Sequence, residues 1–189
     1  MKSIFEIKRI TIILQHINET DKFTLITNVL SRACYFFYWM FDNVHIVTKI
    51  LNRAPDSKGG VTVTSEKVEL WSRIFRQVSR IWWLVGITSF MVYCLKTLRK
   101  TYTDESDLKV AALDKMTVAE LRQNLQIISK LRHDYWLNLI RSISELMICL
   151  NENEIPINVL GKRLNNGVEG GFGMLSSAIL IYSHLMPRK

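Results

Sequence analysis

A chain of 189 residues with three prolines and eight glycines has room for one domain with a sizeable core, and its scarcity of breakers favours long helices over many short strands. Lys and Arg outnumber Asp and Glu by 25 to 17, a formal charge of +8, which calls for a polyanionic partner; a mean hydropathy of +0.09 is high for so basic a chain and tilts the choice from nucleic acid to an anionic membrane surface. Cys34, Cys94 and Cys149 are odd in number, far apart and set among apolar neighbours, which argues against a disulfide framework or a zinc site and for buried thiols in a reducing compartment.

The N-terminal stretch "MKSIFEIKRITIILQHI" breaks its apolar residues with Glu6, Lys8 and Arg9 and has no small-residue cleavage site, so secretion is not expected. From Phe23 the apolar positions Ile26, Leu30, Ala33, Phe37, Met40, Val44, Val47 and Leu51 step by threes and fours, the signature of one helix face held over many turns. Within this helix "RACYFFYWMFDNVHIV" sets six aromatics between Tyr35 and Phe41 and then turns to Asp42 and Asn43. Pro55 and the Gly59–Gly60 pair end the helix in a loop, "VTVTS" is expected to stay extended, and Ser65 is placed to cap the next helix, with Glu66 and Glu69 in its first turn.

That next helix, over 66–99, has two characters. Its first half puts Leu70, Trp71, Ile74, Phe75, Val78 and Trp82 on one side and Arg73, Arg76 and Arg80 on the other, a basic amphipathic helix of the kind that lies in a lipid interface. Its second half, "IWWLVGITSFMVYCL", is free of charge, but its fifteen residues reach only roughly 22 Å against a hydrocarbon core of ~30 Å. Arg80 with Trp82 and Trp83 on one flank, and Tyr93 with Lys96, Arg99 and Lys100 on the other, have the character of interfacial anchors for a short span. "TYTDESDLKVAALDK" reads as a polar linker. Thr117 and Glu120 are spaced as a capping box for a further helix, whose apolar residues run from Val118 to Leu150 and whose second half is the more apolar. The final segment, "LNNGVEGGFGMLSSAILIYSHLMPRK", is uncharged from Gly170 to Pro187, and Gly167, Gly170, Gly171 and Gly173 offer a face for close helix packing and self-association.

The chain offers little for catalysis. "GVEGGFG" lacks the Lys and the preceding strand of a phosphate loop. His16, His45, His133 and His184 are scattered without ligand spacing, so no metal, cofactor or small-molecule substrate is expected. Asp42 and Asn43 have no nucleophile or base at a recognisable spacing; they read as a structural polar break, either a satisfied buried pair or the depth limit of an immersed helix. The aromatics sit on apolar faces and not among the arginines, which argues against nucleic acid.

Three segments carry a family resemblance. "LSRACYFFYWMFDNVHIVTKI" resembles the aromatic helix of the peroxin-eleven family that runs into Asp-Asn; "WSRIFRQVSRIWWLVGITSFMVYCLKTLRK" is similar to that family's next helix, with its basic, tryptophan-bearing beginning. "LNNGVEGGFGMLSSAILIYSHL" is similar to its C-terminal glycine, Ser-Ser and aliphatic segment, and the three stand in the family's order from about Ser31 onward. The resemblance implies a peroxisomal membrane protein that self-associates, bends and elongates the membrane and helps recruit organelle-division machinery; some members have been considered pore-forming. Family members usually carry a longer N-terminal region with a basic amphipathic helix. Here about thirty residues precede the aromatic segment, which places the inserting element over 66–80 as an alternative to a shortened one.

The expectation is therefore an all-α protein of four or five long amphipathic or apolar helices, a membrane-associated antiparallel bundle forming a single domain over 1–189, with no enzymatic activity. Arg73, Arg76, Arg80, Trp71, Phe75, Trp82 and Trp83 are its expected membrane-binding residues, anionic lipids and further copies of itself its expected partners. A soluble helical adaptor and a membrane channel are the rival readings.

Overall fold

Helix is the only regular secondary structure among the residues described by the computed structural model, which are 2–15, 21–51, 66–155, 158 and 161–185. The helices are α1 (Lys2–Gln15), α2 (Lys22–Leu51), α3 (Glu66–Lys115), α4 (Val118–Glu152) and α5 (Asn166–Leu185). The all-α expectation holds. The loop at Pro55, Gly59 and Gly60, the "VTVTS" stretch and the Ser65 cap lie outside the described residues.

Helix starts are set by side chains that satisfy otherwise orphaned amides. Asp21 accepts from the Thr24 amide at 3.3 Å and its hydroxyl at 3.2 Å, ahead of α2. Thr117 and Glu120 form the expected capping box at the start of α4: each accepts from the other's backbone amide, at 3.0 Å onto Glu120 Oε2 and 3.3 Å onto Thr117 Oγ1. Asn165 accepts from the Gly167 amide at 3.0 Å as α5 begins.

The linker expected over "TYTDESDLKVAALDK" is instead the last part of α3, which runs unbroken for 50 residues, roughly 75 Å. Polarity had counted as evidence for a loop. The stretch contains neither glycine nor proline, Glu105 pairs with Lys109 one turn on at 2.6 Å, and Thr101 is buried with its hydroxyl on the Leu98 carbonyl at 2.7 Å. A polar helix partnered along one side needs no apolar stripe.

The chain divides into two compact units, residues 1–87 and 88–189, and α3 contributes its first part to one and its second part to the other. In the first unit α1 packs on α2, and α2 runs antiparallel to the first part of α3 through ring contacts of Phe37 with Trp82, Tyr38 with Trp83, and Phe41 with Phe75, at centroid distances of 4.9, 5.4 and 6.2 Å. In the second unit Cys94 and Leu98 of α3 meet Leu139 of α4 in a buried core, and the Tyr93 and Tyr135 hydroxyls are 3.0 Å apart. Helix α5 returns antiparallel along α4: Asn151 bonds Glu169, and Ser176 bonds Glu145.

Candidate membrane-facing surface

Among the described residues, small polar side chains are buried beside a few apolar ones, Ile87, Leu98, Leu139 and Ile179. Thr27, Ser31, Ser79, Thr101, Ser142 and Ser144 are buried, and each hydroxyl donates to a carbonyl three or four residues back on its own helix, at 2.7 to 3.0 Å. Such a residue is satisfied locally and acts toward its neighbour as a small one, which lets helices approach closely. Many large apolar side chains point outward. On α3, Leu70, Ile74, Ile81, Val85, Val92 and Leu95 are all exposed, Leu70 and Ile81 by 57%. At 100° per residue Leu70, Ile74, Ile81 and Val85 of the first unit fall in one stripe along the helix. Among the described residues α3 is the one helix long and apolar enough, by length and composition, to cross a membrane.

The seven side chains expected to bind membrane separate into two groups. Phe75, Trp82 and Trp83 are spent on the ring contacts with α2 and are half-buried. Arg73, Arg76 and Trp71 are exposed, with Trp71 stacked on Phe75 at 5.7 Å and Arg73 paired to Glu69 at 2.5 Å; Arg80 is half-buried. The helix thus has three faces: aromatics and small residues toward α2, arginines beside them, and the outward aliphatic stripe. Seven aligned positions could not show from sequence that two apolar faces were present, since a single amphipathic split accounts for the same letters.

Helix α2 passes through Asp42 and Asn43 without interruption; Asp42 is half-buried and Asn43 exposed, so the pair is not sealed in a core. Around it Met40, Val44, Ile46 and Val47 are exposed. One turn on, His45 Nδ1 lies 2.9 Å from the Ser72 hydroxyl and 3.0 Å from the Ser72 carbonyl oxygen, a polar tie between α2 and α3 that the scattered histidines gave no sign of. Glu6 of α1 is likewise buried, with Arg9 at 2.8 Å and Arg32 of α2 at 3.5 Å.

On α5 the glycines also divide. Among the described residues, a methyl group at Gly173 would meet Ile148 of α4 at 3.9 Å, whereas one at Gly170 or Gly171 would meet nothing within 4 Å, and one at Gly167 only the neighbouring Asn165 side chain. Gly167, Gly170 and Gly171 thus share the outward face with Met174, exposed by 76%, and with Ile181 and Leu185. Glu169, which sequence placed within this patch, points inward and accepts from the Asn151 amide nitrogen at 2.5 Å.

A family model for peroxisomal biogenesis factor 11 (PEX11) matches residues 1–185, nearly the whole chain. The chain belongs to the PEX11 family. No curated protein and no solved structure matches it. Membership makes this a peroxisomal membrane protein with a part in peroxisome proliferation and organisation, from a family of biogenesis factors not known as enzymes. Buried, locally satisfied hydroxyls and many exposed aliphatic side chains suit a PEX11 chain at a membrane, where polar groups must be satisfied within the protein and apolar ones need not be hidden.

Proposed function

We propose that this PEX11-family chain elongates the peroxisomal membrane and helps it divide, by adding area to one leaflet with the beginning of α3 and by gathering copies of itself through α5. It performs no reaction in this reading. The observation that carries it is the outward aliphatic stripe of α3 beside the exposed arginines. Leu70, Ile74 and Ile81 enter the acyl chains, while Arg73, Arg76 and Arg80 stay at headgroup level, where each basic residue near an anionic surface contributes ~1 kcal/mol. The rings of α2 brace this part of α3, so that a pair of helices is inserted and not a lone one. Asp42 and Asn43 mark the depth to which α2 is immersed.

Helix association in lipid depends on close packing, and a glycine in a helix costs about 1 kcal/mol relative to alanine unless packing offsets it. Among the described residues nothing packs on Gly170 or Gly171 and only the Asn165 side chain approaches Gly167, which supports a second copy as their partner. Gly167→Leu with Gly171→Leu is expected to weaken crosslinked dimers and shorten peroxisomal tubules in cells while targeting persists. Arg73, Arg76 and Arg80 changed together to Glu should abolish tubulation of anionic vesicles. Full tubulation by both variants would defeat the proposal.

A further inference from the structure

Three helices of the second unit place their aromatic side chains at one level. Tyr93 of α3 and Tyr135 of α4 touch hydroxyl to hydroxyl at 3.0 Å. Trp136, next in sequence, is 45% exposed. On α5 the Tyr182 ring, 41% exposed, meets His133 of α4 edge-on at 6.2 Å. Directly beyond Tyr93 stand Lys96, Arg99 and Lys100, the last two exposed. An aromatic girdle topped by a basic collar is what a lipid–water boundary selects, because ring bodies favour the acyl edge and cations the phosphates.

Exposed apolar side chains occur on both sides of this level, Val110, Val118, Ile127 and Leu131 on the hairpin side among them, but exposed charges are concentrated on one. On one side α4 exposes Ile140 and Ile143, α3 exposes Val92, and α5 exposes Leu180 and Ile181. On the other, α3 and α4 continue as an antiparallel hairpin joined by Met116 and Thr117. Its outward positions include Asp104, Asp107 and Lys109 on one arm and Glu120, Arg122 and Lys130 on the other, all exposed. Immersing these charges would be costly. The hairpin is nonetheless a built structure, held by Arg132 paired with Glu105 and lying 4.4 Å over the Tyr102 ring.

We propose that the membrane boundary crosses the second unit at Tyr93, Tyr135, Trp136 and Tyr182, that Lys96, Arg99 and Lys100 take anionic headgroup phosphates there, and that the hairpin of residues 101–134 stands in water as an arm roughly 22 Å long. The arm rests on the membrane residence of the family but not on leaflet insertion or self-association, and it can stand if either of those fails.

The test is site-directed spin labelling of the full chain in vesicles containing anionic lipid, with the unsubstituted chain labelled in parallel to subtract any reaction of the native cysteines. Nitroxides are placed at Val110→Cys and Gln123→Cys in the arm and at Val92→Cys and Ile143→Cys below the girdle. The arm labels should collide several-fold more with a water-soluble nickel chelate than with oxygen, and the lower pair should show the reverse. Oxygen-biased labels at all four sites would overturn the arm while leaving the protein in the membrane. Nickel-biased labels at all four would remove the second unit from the bilayer altogether. For the collar, energy transfer from a dye at Thr103→Cys to labelled anionic lipid should fall several-fold when Lys96, Arg99 and Lys100 are changed together to Gln. Unchanged transfer would overturn the headgroup contact.

Discussion

Arg132 of α4 pairs with Glu105 of α3 while its guanidinium lies 4.4 Å above the ring of Tyr102, so one side chain ties two helices through a carboxylate and an aromatic face at once. Arginine suits the task because its planar cation can satisfy both partners; lysine cannot.

Acid should loosen this tie. Hydrogen bonds from Lys109 and then Arg132 hold the Glu105 carboxyl below its ordinary value of 4.5. A folded-state value below the unfolded one means that the stabilisation is complete above the unfolded value and is lost as pH falls through the folded one. Melting of the detergent-solubilised protein between pH 7 and pH 3 should show this loss on the acid side of the carboxylate range. Glu105→Gln should start lower at neutral pH and flatten that part of the curve. An identical acid slope in the variant would place the loss at other carboxylates.

Gly86 sits at a close crossing of α2 and α3. A methyl group there would lie 3.2 Å from Cys34 Cβ and 3.6 Å from the Ser31 carbonyl oxygen. Gly86→Leu is expected to destabilise the folded protein by about 1–3 kcal/mol, measured by unfolding in mixed micelles. Gly86→Ala should be tolerated much better when combined with Cys34→Gly, which clears the nearest contact. If the two changes simply add, the crossing is not the close contact described here.

Asn151 is buried and serves two partners: its amide nitrogen donates to Glu169 at 2.5 Å and its carbonyl oxygen accepts from the Leu164 amide at 3.0 Å. Asn151→Leu leaves both without that partner and should cost about 1–3 kcal/mol. Glu169→Gln, whose amide oxygen still accepts, should cost clearly less. Faster hydrogen exchange at the Leu164 amide in Asn151→Leu, but not in Glu169→Gln, is the accompanying signature.

Thr117→Ala removes the oxygen that accepts the Glu120 amide and should weaken the start of α4 by about 1 kcal/mol, with Thr117→Ser close to the parent. Hydrogen exchange over the first turn of α4 reports it directly.

Much of this was legible in the letters because the capping rules are local. The Thr117–Glu120 box and the face of α2 from Phe23 onward depend on neighbours within one or two turns, and both stand as expected. The three cysteines are buried, also as expected. The last part of α3 was missed because its partner, Arg132, lies 27 positions from Glu105, and no local pattern marks a polar helix paired across that gap. The separation of Phe75, Trp82 and Trp83, which pack on α2, from the exposed Arg73 and Trp71 was hidden for a related reason. Hydropathy separates apolar from polar, but it does not separate a ring that packs on α2 from an aliphatic chain that faces outward. The buried hydroxyls gave no signal at all, since serine and threonine look alike whether they face water or a neighbouring helix.

Those hydroxyls bear on the order of events in assembly. A chain that buries serine, threonine and cysteine beside only a few isoleucines and leucines gains less by collapsing in water, because many of its aliphatic side chains stay exposed in the fold. Delivery to the bilayer comes first, driven by the aliphatic exteriors. Only afterwards do the helices sort, by short-range fit at places such as Gly86 against Cys34. Errors in sorting then meet a smaller hydrophobic penalty, since an aliphatic surface that faces lipid stays solvated in either arrangement. Fidelity rests on a few polar ties between helices, Glu6 to Arg32, His45 to Ser72 and Asn151 to Glu169, in a solvent that offers no substitute.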